Sequence, residues 1–398
     1  MRRQQQHPQP LSKHRRSGSI SAWSVFAMIA CLCCVAMVVN RGVLSNLRSE
    51  TDQSARASAL AAARNLLNDD FLRTNIQAFE TESAQLRAKQ AAVDISRLYN
   101  VRRNTPLLNE DQIRFSSAVV DPNTGRTQFL QNTTRPDRVH VTVANNPGDA
   151  SGRLFLSGIT GVKHGQLLSQ ATAILQNRLL GFRSLKESSI PLIPLALPED
   201  ETGKQSDCWT HEIELQRGMD QWAWNSTEMR AEEIADRLPE ITISLHAEEH
   251  DLRPKQGTVV SFRKEDNSVT SAIKMFSSGL TTATFPHTRK PLLSFPTTVA
   301  TVKLTAADID SIAQALNLIL GKPRIFPLAP VTRGTKDASS IHPELTRVIA
   351  ARILRLRQYE QSLDITLQPC VLSTPTAVTT SDTTKTPQNR YIWKISAK

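Results

Sequence analysis

His246, Glu249 and His250 stand in the order H-x-x-E-H, the one string in this chain whose residue types and spacing match a catalytic metal site. Two histidines four apart on one face of a helix can hold a zinc ion while the glutamate works on a metal-bound water. The setting predicts something else. The string follows Ile241-Thr-Ile-Ser-Leu245, which alternates apolar and polar like a strand, and it precedes Arg253-Pro254, so it reads as a polar loop. A membrane-tethered metallohydrolase using His246, Glu249 and His250 is kept as the alternative, beside a surface module that captures ligand with its C-terminal half. No G-x-S-x-G elbow, Walker-type phosphate loop or dinucleotide glycine fingerprint occurs. The expectation is therefore no enzyme, no cofactor and no metal.

Cysteines are the second group with chemistry. Cys31, Cys33 and Cys34 fall inside an apolar run, where they act as small apolar filler. Cys208 and Cys370 are the remaining thiols, and in an oxidising compartment two lone cysteines tend to pair. A bridge needs Cα atoms ~4.4 to 6.8 Å apart. Spacing along the chain does not decide that, so the paired and the free states both stay open.

The element that positions everything else is the stretch 20–39, ISAWSVFAMIACLCCVAMVV, which carries no charge. At ~1.5 Å per residue, a helix of that length crosses the ~30 Å hydrocarbon core of a bilayer. Arg2, Arg3, Lys13, Arg15 and Arg16 precede it with no acidic residue among them, which predicts a cytoplasmic N-terminus in contact with anionic lipid. A cleaved signal peptide would have a shorter apolar stretch and a small-x-small site, and a lipoprotein would turn polar after Cys31. Neither pattern is present. No second run of ~18 apolar residues occurs. The expected location is the inner (cytoplasmic) membrane, single pass, with the bulk of the chain periplasmic.

Charge agrees with this frame. The 398 residues carry a net charge of +11, but five of the basic residues lie in the short head before the apolar run. Downstream, basic and acidic residues are mixed and aromatics make up only 5% of the chain. No basic stripe interleaved with aromatics appears, so no nucleic-acid partner is expected.

Beyond the anchor, residues 44–73 lack Gly and Pro and are rich in helix formers. Leu47, Thr51, Ala55, Ser58, Ala62 and Leu66 recur at spacings of three and four, a stripe of mostly small side chains suited to packing on another helix or on the chain's own ectodomain. A second helix is predicted over 76–99, stopping within 100–106. Strands follow at 113–120 and 127–130, around the Asp121-Pro-Asn-Thr-Gly125 turn. Val139, Val141 and Val143 alternate along another strand, 154–161 is a short apolar element, and 166–175 is a further strand. This small sheet needs the preceding helices to cover it.

These residues carry a resemblance. Arg15-Arg16-Ser-Gly-Ser-Ile-Ser, the apolar run, Asn40-Arg41-Gly42 and the Ala-rich string from Gln53 to Ala63 resemble the N-terminal region of Flp pilus-assembly TadE/TadG-like proteins. The segments LRAKQAAVDISRLYNVRRNTPLL, Asp121 to Gly125, RVHVTVA and Leu154 to Gly161 resemble the region beyond that family's anchor. The likeness covers residues 12–176. Asn40 and Arg56 stand where the family usually has Asp, so any ion pair made there is lost, and Trp23 occupies the place of a processed prepilin's Glu. The Asp-x-Ser-x-Ser metal motif of some relatives is not completed at Asp94 or Asp310. The resemblance implies a structural or assembly component of a Tad/Flp-type pilus or related secretion apparatus, with the membrane and other envelope or pilus-assembly proteins as partners.

The rest, 177–398, is expected to pack as one α+β domain. Residues 209–214, 241–245, 258–262 and 298–304 read as strands. Thr305 and Asp308 cap a helix whose apolar face is Ile309, Ile312, Leu316 and Ile319 and whose stop is Gly321 with Pro323. Residues 342–359 fit either helix or strand, and SLDITLQP and RYIWKIS read as closing strands around a loop at 373–385. The predicted fold is α+β: a basic tail (1–17), a transmembrane anchor (18–40), a helical stalk (41–104), a small α+β unit (105–176) and an α+β ectodomain (177–398).

Overall fold

The computed structural model describes residues 19–73, 78–99, 108–121, 124, 126–131, 135–145, 167–186, 188–248, 252–262, 268–281, 292–331, 342–380 and 388–398. The fold is mixed α+β, a long N-terminal helix followed by a sheet-rich remainder. The basic residues Arg2, Arg3, Lys13, Arg15 and Arg16 lie outside the described residues, as does the 154–161 element.

Helix α1 (Ser19–Leu66) is one uninterrupted element of 48 residues, about 70 Å long at 1.5 Å per residue. Its first half is bare: Trp23 is 80% and Phe26 75% exposed, with Met28, Leu32 and Val38 also open. It is the one described helix long and apolar enough to cross a membrane. Its second half is covered. Leu47, Thr51, Ala55, Ser58, Ala62 and Leu66 are all buried, together with Ala59 and Ala63.

The helix stops seven residues before the predicted end at 73. Asn68, Asp69 and Asp70 have short polar side chains that compete for backbone hydrogen bonds and favour turns over helix interior. Asn68 Nδ2 donates to Asp70 Oδ2 at 2.6 Å, and a 3₁₀ turn, Asp69–Leu72, redirects the chain. Helix α2 (Ala78–Leu98) then packs along α1, bringing Ala88 and Ala92 against its alanines.

The described strands are, in chain order, β1 (Ile113–Val120), β2 (Thr127–Gln131), β3 (Arg138–Asn145), β4 (Leu167–Gln176), β5 (Leu179–Arg183), β6 (Leu195–Glu199), β7 (Ala223–Asn225), β8 (Arg230–Glu232), β9 (Ile241–His246) and β10 (Thr258–Ser261), then β11 (Leu292–Ser294), β12 (Thr297–Thr298), β13 (Ala300–Thr301), β14 (Arg324–Pro330), β15 (Glu344–Leu345), β16 (Arg347–Gln358), β17 (Ser362–Pro369), β18 (Leu372–Ser373), β19 (Ala377–Thr379) and β20 (Ile392–Ala397). The first sheet has six strands in the order β18-β20-β4-β3-β1-β2. Alternation sets its two faces. Val139, Val141 and Val143, with Ile113, Phe115, Ala171 and Ala173, form one core with α1 and α2, while His140 and Thr142 point the other way. The chain's last strand belongs here and not to a separate C-terminal domain. Ile395 pairs with Leu175, and Trp393 and Ile395 pack against the helical core, so the division at 176 is crossed by the chain end.

The second sheet has seven strands in the order β13-β10-β6-β14-β16-β17-β9, with β6 and β14 parallel and the other neighbours antiparallel. The segment 342–359 resolves as β16, whose Val348, Ile349, Ala350, Ala351 and Ile353 are buried. Helices α3 (Val269–Ser278) and α4 (Ala306–Asn317) pack on each other beside it. The α4 cap is the predicted one: the Thr305 amide donates to Asp308 Oδ2 at 2.8 Å, and Ile309, Ile312, Leu316 and Ile319 are buried. The segment 298–304 forms only the two-residue strand β13 and the end of β12. The segment 209–214 is not a strand: Thr210–Glu214 is a π-helical turn that puts Thr210 and Glu214 on one side, where both meet Arg347.

Candidate functional site

The H-x-x-E-H string has no helix to stand on. His246 is the last residue of β9, paired with Ser362, and Glu248 has φ of 67°, which breaks any helix at that point. Glu249 and His250 lie outside the described residues. Among the described residues no group of three or more His, Cys, Asp or Glu side chains is placed to hold a metal ion.

Cys208 and Cys370, whose pairing the sequence left open, are both buried and stand as free thiols in the structure. They belong to different surroundings. Burial pushes both thiols up to about 12, but Cys208 faces the Asp200 and Glu199 carboxylates, whereas Cys370 sits by Asp69 and Arg352.

Asp69 is the centre of the joint between α1 and the second sheet. Its carboxylate accepts from the Val371 amide at 2.7 Å and pairs with Arg352, a contact spanning most of the chain. Burial raises the Asp69 pKa, opposed first by the Arg352 charge. Phe71 meets Trp393 edge to face at 5.9 Å, and Leu72 packs on the larger core. The buried stripe of α1 therefore faces the chain's own second helix and first sheet, and the turn after it is bolted to the second sheet.

Two of the cavities among the described residues gather hydrogen-bonded polar side chains from several elements. One, about 720 Å³, lies between β5, the π turn, the start of β16 and the segment before β20. Its floor is a hydrogen-bonded chain: Trp209 Nε1 donates to the Tyr391 hydroxyl at 3.2 Å, which donates to Glu214 at 3.3 Å. Arg347 bridges Glu214 and Glu199 at 2.7 Å each. Burial raises the Glu199 pKa and Arg347 opposes the rise. Arg347 is committed to both acids and Thr210 Oγ1 also donates to Glu199 Oε1, while Glu199 Oε2 is buried without a hydrogen-bond partner, so the network reads as structural support with one acceptor left over.

The other, about 530 Å³, lies on the helix-free face of the first sheet. There Ser116 Oγ is 2.8 Å from His140 Nε2, and His140 Nδ1 is 3.0 Å from Thr172 Oγ1. Burial, followed by the Arg138 charge, lowers the His140 pKa, so the ring is neutral at neutral pH and carries one donor and one acceptor. The order is that of nucleophile, base and orienting group. An oxyanion would still need free donors beside Ser116, whose own backbone is paired with Gln131 of β2 on one side and with Arg138 of β3 on the other. The line is a rigid polar floor. Sequence reading missed it because Ser116, His140 and Thr172 come from three separate strands, and only the outward parity of His140 beside Val139 and Val141 hints at it.

No family model, curated protein or solved structure matches this chain.

Proposed function

We propose that this protein is a single-pass, membrane-anchored envelope component with a structural or assembly role in a Tad/Flp-type pilus or related secretion apparatus. Its N-terminus lies in the cytoplasm and its bulk in the periplasm. The observation that supports the reading most is α1 itself: one helix whose exposed apolar half continues without a break into the buried spine of the first sheet. A simple tether needs only a flexible linker. A continuous helix, fastened at Asp69, fixes the orientation of the whole ectodomain to the bilayer, as an assembly component requires. The residue strings from Arg15 to Ala63 supply the family direction of the proposal.

The test is topology. A reporter fused after Lys398 is expected to be active only outside the cytoplasm, and changing Arg15 and Arg16 to Glu is expected to lower correct insertion. Cytoplasmic activity of the C-terminal reporter overturns the proposal.

A further inference from the structure

The helix-free cavity of the first sheet crosses four neighbouring strands, β2, β1, β3 and β4. Three steps of ~4.8 Å make it roughly 14 Å long. Its lining is mostly neutral and rich in hydrogen-bonding groups: Gln131, Gln170, Thr142 and Thr172, around the His140 floor. A planar amide presents donors and an acceptor together, and a hydroxyl presents both on one atom. Asp111 and Arg114 line it with opposite charges. At one end Phe129 is 55% exposed, with Arg138 over one ring face at 4.6 Å.

This combination selects against other ligand classes. A phosphate-rich polymer would require a surplus of cations, but Asp111 offsets Arg114 and the Asp137 carboxylate lies 3.7 Å from Arg138. An apolar segment would leave the amides and hydroxyls unpaired, at a cost for each. A chain of sugar rings offers vicinal hydroxyls to paired donor and acceptor groups and an apolar C–H face to an aromatic ring. We propose that this groove binds a short stretch of neutral glycan, its hydroxyls bridging Gln131, Gln170 and Thr142 and one ring lying against Phe129. The binding site goes beyond the assembly role and does not depend on it.

The experiment uses the full chain in a phosphocholine detergent, which has no sugar head group. Cellotriose, maltotriose and chitotriose are titrated by calorimetry, with inorganic polyphosphate as the anionic comparison. At least one trisaccharide is expected to bind with Kd below about 1 mM. Gln170→Ala and Phe129→Ala, both at exposed positions, are each expected to weaken it at least about tenfold at an unchanged melting midpoint. Binding of no trisaccharide up to about 10 mM overturns the proposal. So does binding that both variants leave unchanged, or polyphosphate binding more tightly than any sugar.

Discussion

Replacing Ala55 or Ala62 by Leu tests whether α1 is the structural spine of the first sheet. Both residues are fully buried, within the cluster that holds Ala88 and Ala92 of α2 and Val141, Ala171 and Ala173 of the first sheet. Leucine adds three carbons where backbones approach closely, and overpacking of this kind costs about 1 to 3 kcal/mol per site. Leucine is itself a good helix former, so α1 should persist while the contact is lost. The two sites are two helical turns apart, so the double variant should lose roughly 2 to 6 kcal/mol, against a typical domain stability of about 5 to 15 kcal/mol. For a domain of this size each kcal/mol lowers the melting midpoint by about 2 to 4 °C. Arg64→Leu is the control, because Arg64 is exposed on the same helix, and it should stay within about 0.5 kcal/mol of the parent. Thermal unfolding by circular dichroism, with hydrogen exchange at the β3 and β4 amides, reads the effect. Both alanine variants melting with the parent, their β3 and β4 amides equally protected, would refute the spine.

Three further outcomes are expected. Asp69→Asn removes the charge that Arg352 faces in a buried setting, and unpairing a buried ion costs about 3 kcal/mol or more, so urea unfolding should shift by that amount; a silent variant would show the joint to be dispensable. Burial raises the Glu240 pKa to about 7 against the Trp222 and Gln221 amides that favour its charge, so the folded state holds a proton that the unfolded chain releases near pH 4.5. Stability should therefore fall by up to about 3 kcal/mol as pH rises from 4.5 to 7, and an unchanged pH profile in Glu240→Gln would contradict this assignment. Finally, Cys208 and Cys370 should take up a maleimide in unreduced protein once it is denatured, and labelling that requires prior reductant would mean that they pair.

Local pattern alone decided a good deal of this molecule. An uncharged run of twenty residues can only be a helix with its apolar surface all round, and period two in Val139, Val141 and Val143 tells which face of β3 is covered. The Thr305–Asp308 cap and the face from Ile309 to Ile319 are legible for the same reason: their partners lie within a few residues, so spacing carries the information. Where two periods fit equally, as over 342–359, the choice fell to burial in a seven-stranded sheet, which no window of β16 contains. The segment 209–214 alternates like a strand, yet Arg347, far along the chain, gathers Thr210 and Glu214 onto one side of a π turn. The joint of Asp69 with Arg352, the return of β20 to the first sheet, the separate surroundings of Cys208 and Cys370, and the line from Ser116 through His140 to Thr172 are all contacts between distant segments. Such contacts are set by strand order and register, which arise only when hydrophobic faces from the whole chain close on one another.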